Sequence, residues 1–354
     1  MPQSQSSRWW CCALLLGLVF FPGCSGGGKS TKKIILLNNT ESPYWDAARA
    51  GIKDAVKELK LADAGFDATM DNNDGTGKGQ VDKLKQYATR DDIVAVGISP
   101  IDAKNEAMAD QLKKLREKGV IIICFDSDLP PEKQELRDFY IGTDNYNAGK
   151  ALGAAIKALK PDGAEYVQFV GTDTQENAVQ RMDGVKASLP ATFVEKERKL
   201  DDSKRDIAKK NVKDVVVKYP NLSTLVGIWS YNAPAIADAI KDEKAKFTVA
   251  TFDAEENAIT HMAQGNIDVM VVQNPHAMGY LTVQTAFAKL NKDDATVKKL
   301  FPNGNVKDTG IKVVVPEKGS PLKEADFSSI EPKVEFLTLP QFQEWLKKYG
   351  LTCS

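Results

Sequence analysis

The chain has 354 residues, with Lys+Arg 47 against Asp+Glu 48 and a formal net charge of −1. That balance excludes a whole-chain field directed at nucleic acid or an anionic surface. Two histidines, His261 and His276, with no Cys/His cluster at ligand spacing, give no metal site.

The first element is a leader. Arg8 precedes an apolar run over 9–21, too short for a transmembrane helix, which needs about 20 residues. One positive charge, a short apolar stretch and small residues before Cys24 read as an export signal over 1–23. It resembles a bacterial lipoprotein signal, which implies a lipid anchor at Cys24 and a protein held at a membrane in the periplasm. Residues 24–31 form a Gly/Ser-rich tether. Gly23 to Ser30 also satisfies the phosphate-loop pattern G-x-x-x-x-G-K-[ST]. That loop works between a strand and a helix, whereas a β-branched, strand-like run follows here, so no nucleotide or other cofactor is expected.

About 330 residues remain, enough for two domains. Strand-like runs are predicted at 34–37, 66–70, 93–98, 120–125, 166–170, 225–228, 248–251, 269–272 and 311–315. Helical periodicity is predicted at 43–60, 105–118, 145–159, 177–188, 206–219, 233–241 and 277–290. Ser42-Pro43 supplies a helix start, and Gly119 and Gly265 supply stops. Strands apolar on both faces, alternating with helices, specify α/β architecture with parallel sheets covered on both sides. Two doubly wound lobes are expected, 32–142 plus 274–309 and 143–273 plus 310–354, joined by crossings near 141–145, 273–275 and 307–312. An amphipathic helix at 339–348 should pack back onto the second lobe. Cys124 lies in a strand run and Cys353 in the tail, which fits a buried thiol and a tail thiol better than a disulfide.

In open parallel sheets ligands sit beyond the carboxyl ends of strands. There the sequence places Asn38, Ser42, Tyr44 and Trp45, then Ser99, Asp126 and Ser127, and later Trp229, Asn232, Asp253 and Gln273. Asp, Asn and Ser are ordinary capping residues, but capping needs no tryptophan. Carboxylates, amides and a guanidinium suit the hydroxyl rim of a sugar, and flat rings suit its C–H faces.

The chain resembles the type I periplasmic sugar-binding proteins, the ribose- and allose-binding receptors of ABC transporters. The resemblance runs over 32–315. It is carried by Ser42-Pro43-Tyr44-Trp45, Ile98-Ser99-Pro100-Ile101-Asp102, Ile122 to Asp128, Tyr140 to Asn145 with Ala148-Gly149, Asn177 to Arg181 with Gly184, Thr251-Phe252-Asp253 and Val272-Gln273. It implies a monomeric receptor that closes its hinge on a small sugar and delivers it to an ABC permease in the inner membrane, without catalysis. Asn38 and Ser42 would meet hydroxyls, Tyr44 and Trp45 would flank the ring, and Ser99 and Asp126 would close the floor. Arg181, Asn232, Asp253 and Gln273 would answer from the second lobe, with Asn177 beside Arg181. Ser127, Ser99 and Ser203 replace an arginine, an asparagine and an aromatic of the ribose receptor, leaving Trp229 as the candidate replacement for that aromatic. The sugar is therefore left open.

Three alternatives remain at this level. A receptor feeding a sensor kinase or chemoreceptor would have the same sequence features. A hydrolase would use Asp126 and Asp253 as a carboxylate pair, but no nucleophile–base set accompanies them. A repressor of the same fold needs an N-terminal helix-turn-helix where the leader stands.

Overall fold

A computed structural model of the chain describes residues 31–354 except 242, 244, 245 and 332. The leader, the tether up to residue 30 and Cys24 lie outside the described residues. The chain opens with β1 (Lys32–Leu37), α1 (Tyr44–Glu58), β2 (Phe66–Asp71), α2 (Gly77–Ala88), β3 (Ile93–Ile98), α3 (Glu106–Glu117), β4 (Ile121–Asp126) and β5 (Phe139–Gly142). It then builds α4 (Asn145–Leu159), β6 (Ala164–Val170), α5 (Glu176–Ser188), β7 (Phe193–Leu200), α6 (Arg205–Lys218), β8 (Leu222–Gly227), α7 (Asn232–Ile240), β9 (Thr248–Phe252), α8 (Glu256–Ala263) and β10 (Val269–Val272). After these come α9 (Pro275–Leu290), α10 (Asp294–Leu300), β11 (Val306–Asp308), β12 (Lys312–Val315), β13 (Glu335–Thr338) and α11 (Leu339–Lys348).

Two sheets result, with strand orders β11-β5-β4-β3-β1-β2 and β13-β12-β10-β9-β8-β6-β7. The second repeats the plan of the first: β6 takes the place of β1 and β9 that of β4. Among the described residues pairing is parallel in every ladder but one, β12 running antiparallel to β10. The chain passes between the sheets after β5, after β10 and after β11.

Each sheet is buried on both faces. Ile34, Leu36, Ile123 and Phe125 pack under α1 and α9, while Ile35, Leu37, Ile122 and Cys124 face α2 and α3. Alternate residues of one strand thus serve opposite layers, as the pleat requires. In the second lobe Val226, Ala250 and Val271 pack against α4 and α5, and Leu225, Val249 and Met270 against α6, α7 and α11. Cys124 and Cys353 are both free and buried.

Helices α4 and α5 approach closely because glycines face the opposing backbone. A Cβ on Gly149 would lie 2.2 Å from the Arg181 carbonyl oxygen, and one on Gly184 would lie 2.1 Å from that of Tyr146. Only glycine permits this separation. It fixes the height at which Arg181 leaves α5.

Four strands escape the sequence expectations. β5 falls partly in what reads as a crossing, β7 is an edge strand written largely in charged residues, and β11 and β13 span three and four residues. Helices α2, α8 and α10 are likewise unforeseen.

Candidate functional site

Two aspartates anchor the site. Asp126 ends β4 and Asp253 follows β9, and both take left-handed backbone angles, φ 65° and 59°. That region is sparsely populated by residues other than glycine, so the surroundings must hold it. Asp126 accepts the Ser99 hydroxyl at 2.7 Å and the Tyr44 hydroxyl at 3.0 Å. Asp253 accepts the backbone N–H of Gln273 at 3.2 Å and its side-chain amide at 3.1 Å. Gln273 is itself fixed by the Thr143 hydroxyl at 3.0 Å.

Arg181 lies between them. Its Nη1 stands 3.6 Å from Asp253 Oδ2 and donates to the Ile228 carbonyl at 3.1 Å. Its Nε donates to Asn145 Oδ1 at 2.9 Å, and the guanidinium covers the Phe252 ring at 4.5 Å. Burial pushes the Asp126 carboxyl up and that of Asp253 up to about 6, while the Arg181 charge pulls both down. Burial is the larger effect, since desolvation penalises the charged form.

Three buried polar atoms beside this cluster have no protein partner: Arg181 Nη2, Asn177 Oδ1 and Trp229 Nε1. Buried donors and acceptors are ordinarily satisfied. Here a guanidinium donor, an amide acceptor and an indole donor all belong to residues bordering one cavity of about 100 Å³. Asp126, Asp253, Gln273, Ser42, Tyr44 and Trp45 also border it. The lobes are bridged where Asn39 Nδ2 donates to Gln175 Oε1 at 2.9 Å, both residues bordering the cavity, and where the Thr174 hydroxyl donates to the Ile101 carbonyl at 3.3 Å.

Of the thirteen residues expected from sequence, nine border the cavity. The other four require correction. Asn38 is fully buried with its amide committed to the loop after β2, accepting from Asn73 N at 2.7 Å and donating to Asn72 Oδ1 at 3.2 Å. Ser99 sits behind Asp126, and Ser127, past the left-handed turn, is fully buried away from the cavity. Asn232 accepts from Trp229 N at 3.0 Å and donates to Asp201 at 3.1 Å. Tyr44 and Trp45 open helix α1, within the helical stretch expected from 43. Trp45 is 2% exposed, packed edge-on against Tyr44 at 4.9 Å and Phe125 at 5.6 Å.

The sequence reading assigned no contact to Asn39, Ser230 or Tyr231 and passed over Thr40, Glu41, Gln175 and Arg205, all of which border the cavity. Asn39 and Ser230 stand next to named candidates, at strand ends, so the same rule reaches them. Arg205 opens α6 and is held by both Glu255 oxygens at 2.8 Å, a pairing no local pattern announces.

A family model described as a periplasmic binding protein domain matches residues 34–294. Among solved structures, an ABC transporter solute-binding protein from Burkholderia graminis in complex with D-arabinose aligns at TM-score 0.71 and 22% identity, covering 81% of this chain and 96% of that one. A glucose-galactose binding protein from Geobacillus stearothermophilus gives 0.71 and 21%, covering 81% and 98%. An Agrobacterium vitis solute-binding protein with bound D-fucose gives 0.72 and 20%, covering 80% and 95%.

Proposed function

The chain belongs to the periplasmic binding protein domain family, and from that premise we propose that it captures a monosaccharide or related polyol by hinge closure and delivers it to an ABC-type permease. The observation that carries this reading is that Arg181, Asn177 and Trp229, each with one buried polar atom lacking a protein partner, border the same cavity as Asp126 and Asp253. A sugar hydroxyl both donates and accepts, so one ring can satisfy the two carboxylates and these three atoms together. The cavity volume suits a single ring, since each water needs roughly 10–15 Å³ of such space. A monosaccharide cargo also agrees with the sugars named for the Burkholderia and Agrobacterium proteins.

The direct contacts are assigned to Ser42, Tyr44, Trp45, Asp126, Asn177, Arg181, Trp229, Asp253 and Gln273. Asn38, Ser99, Ser127 and Asn232 support them from behind. The match to a periplasmic binding protein domain favours a receptor that releases its ligand unchanged. The leader supports a periplasmic protein anchored through a lipid on Cys24, and the family resemblance supports a monomer.

A thermal-shift screen of pentoses, hexoses, deoxy sugars and polyols, followed by calorimetry on the hits, tests the proposal. A ligand binding the native state raises the midpoint by mass action. Absence of any shift across the set, or turnover of glycosides, refutes it.

A further inference from the structure

Asp201 stands just past β7, 1% exposed and outside the cavity. Its carboxylate meets donors. Its carboxylate accepts the Ser203 N–H at 3.0 Å, the Tyr231 hydroxyl, and Asn232 Nδ2 at 3.1 Å. Its own N–H bonds the Val170 carbonyl at 3.1 Å and that of Gly171 at 3.3 Å. One residue therefore joins the ends of β6, β7 and β8.

What it holds is a strained wall. Asp202 and Ser203 are consecutive non-glycine residues in the left-handed region, φ 51° and 59°. Such a turn persists only when its surroundings over-determine it. Ser203 and Trp229 both crowd Gly171, where a Cβ would lie 2.7 Å from the Ser203 hydroxyl oxygen and 2.0 Å from the indole ring. Trp229 meets Tyr231 edge-on at 6.4 Å. Ser203, Trp229 and Tyr231 all border the cavity.

We propose that Asp201 is a positioning residue which sets the second-lobe wall of Ser203, Trp229 and Tyr231, and thereby ligand affinity, without touching the ligand. The affinity part rests on the binding reading above; the placement of Trp229 does not. Burial pushes the Asp201 carboxyl up to about 6, against the donors, with Asp202 adding to the rise. The other charges near it are Arg205, 5.6 Å from the Tyr231 ring, and Glu255, which pairs with Arg205. Three donors meet the carboxylate, and a proton on it removes the charge that draws Tyr231 and Asn232 in.

Asp201→Asn places an amide donor among those donors, which tests the point. In ¹⁵N-labelled protein the Trp229 indole N–H resonance should shift in D201N while those of Trp45 and Trp345 stay. Monosaccharides that bind the wild-type protein should bind D201N about tenfold more weakly. An unmoved Trp229 resonance, or a Kd within about twofold of wild type, overturns the proposal. If no monosaccharide binds wild type, the binding reading fails by itself and the Trp229 resonance alone decides for Asp201. Should D201N not fold, the wild-type Trp229 resonance followed from about pH 7.5 to 5 should move with a midpoint near 6. That titration should persist in D253N, which removes the other carboxylate of similar pKa; a flat titration overturns the proposal.

Discussion

Asp126 and Asp253 make the same left-handed turn at corresponding strand ends of the two lobes, φ 65° and 59°. Within each sheet β4 and β9 hold equivalent places, so the repeat of the plan delivers one carboxylate from each side. Arg181 draws both toward the charged form while burial opposes it. The lobes thus contribute two acceptors and one cation to a shared interior.

Removing that cation should be costly. Arg181→Ala leaves Asp253 buried beside an amide alone, and breaking a buried pair destabilises by about 3–5 kcal/mol. Urea unfolding of ligand-free R181A should show a loss of that order, with sugar-induced stabilisation abolished. Unchanged ligand-free stability would contradict the pairing.

The pH dependence has a defined sign. Asp253 is raised to about 6 in the folded protein, whereas unfolded chains hold Asp near about 3.9. Between those values the native state binds more protons, so ∂ΔG/∂pH is negative for this group. Its contribution is full below the unfolded value and is lost as pH rises through the folded one. Relative to D253N, wild-type ligand-free protein should therefore lose stability from about pH 4 to 6. Over the same window ligand affinity should rise, because a sugar hydroxyl donates to the ionised carboxylate. Calorimetry near pH 6 in buffers of different ionisation enthalpy should register proton release on binding.

Closure should depend on the buried bond from Asn39 to Gln175, 2.9 Å long. Gln175→Ala removes an acceptor made available only when the lobes meet. A net contribution of about 0.5–1.5 kcal/mol corresponds to roughly a two- to tenfold change. Stopped-flow fluorescence should find it in the dissociation rate, with association little altered. An effect confined to association would place Asn39–Gln175 outside the closing contact.

Gly171 offers a separate handle on Trp229. A Cβ there would meet the indole at 2.0 Å, and overpacking of this kind costs about 1–3 kcal/mol. Gly171→Ala should displace the ring, shift its fluorescence and weaken sugar binding. Wild-type affinity in G171A would show that the ring does not set the pocket wall.

The legibility of this chain follows apolar patterning. β1, β3, β4 and β10 are near-continuous runs of Ile, Leu and Val, and they stand where expected. β7 reads Phe-Val-Glu-Lys-Glu-Arg-Lys-Leu because an edge strand is wetted along its side and pairs its charges laterally. Helix α2 starts Gly-Lys-Gly, low in helix propensity, and its N-cap Thr76 accepts from Gly79 N through a contact that periodicity cannot register. At the cavity, Asp126, Asp253 and Gln273 follow strand ends, which the sequence locates, whereas Arg181 came only through the family resemblance. Asn38 and Asn232 fit the same rule, yet their amides are spent on neighbouring loops. Telling Asn38 from Asn39 needs knowledge of which loop lies above each, and that is tertiary information.

The two thiols have a practical corollary. Cys124 is fully buried and its thiol is pushed well up by desolvation; Cys353 is 6% exposed and pushed up to about 11. Alkylation requires thiolate, so both are chemically quiet at neutral pH. Glu41 borders the cavity with its side chain 57% exposed. A lone cysteine installed there would take a maleimide dye selectively within the body of the protein, turning lobe movement into an optical readout and the molecule into a reagentless sensor.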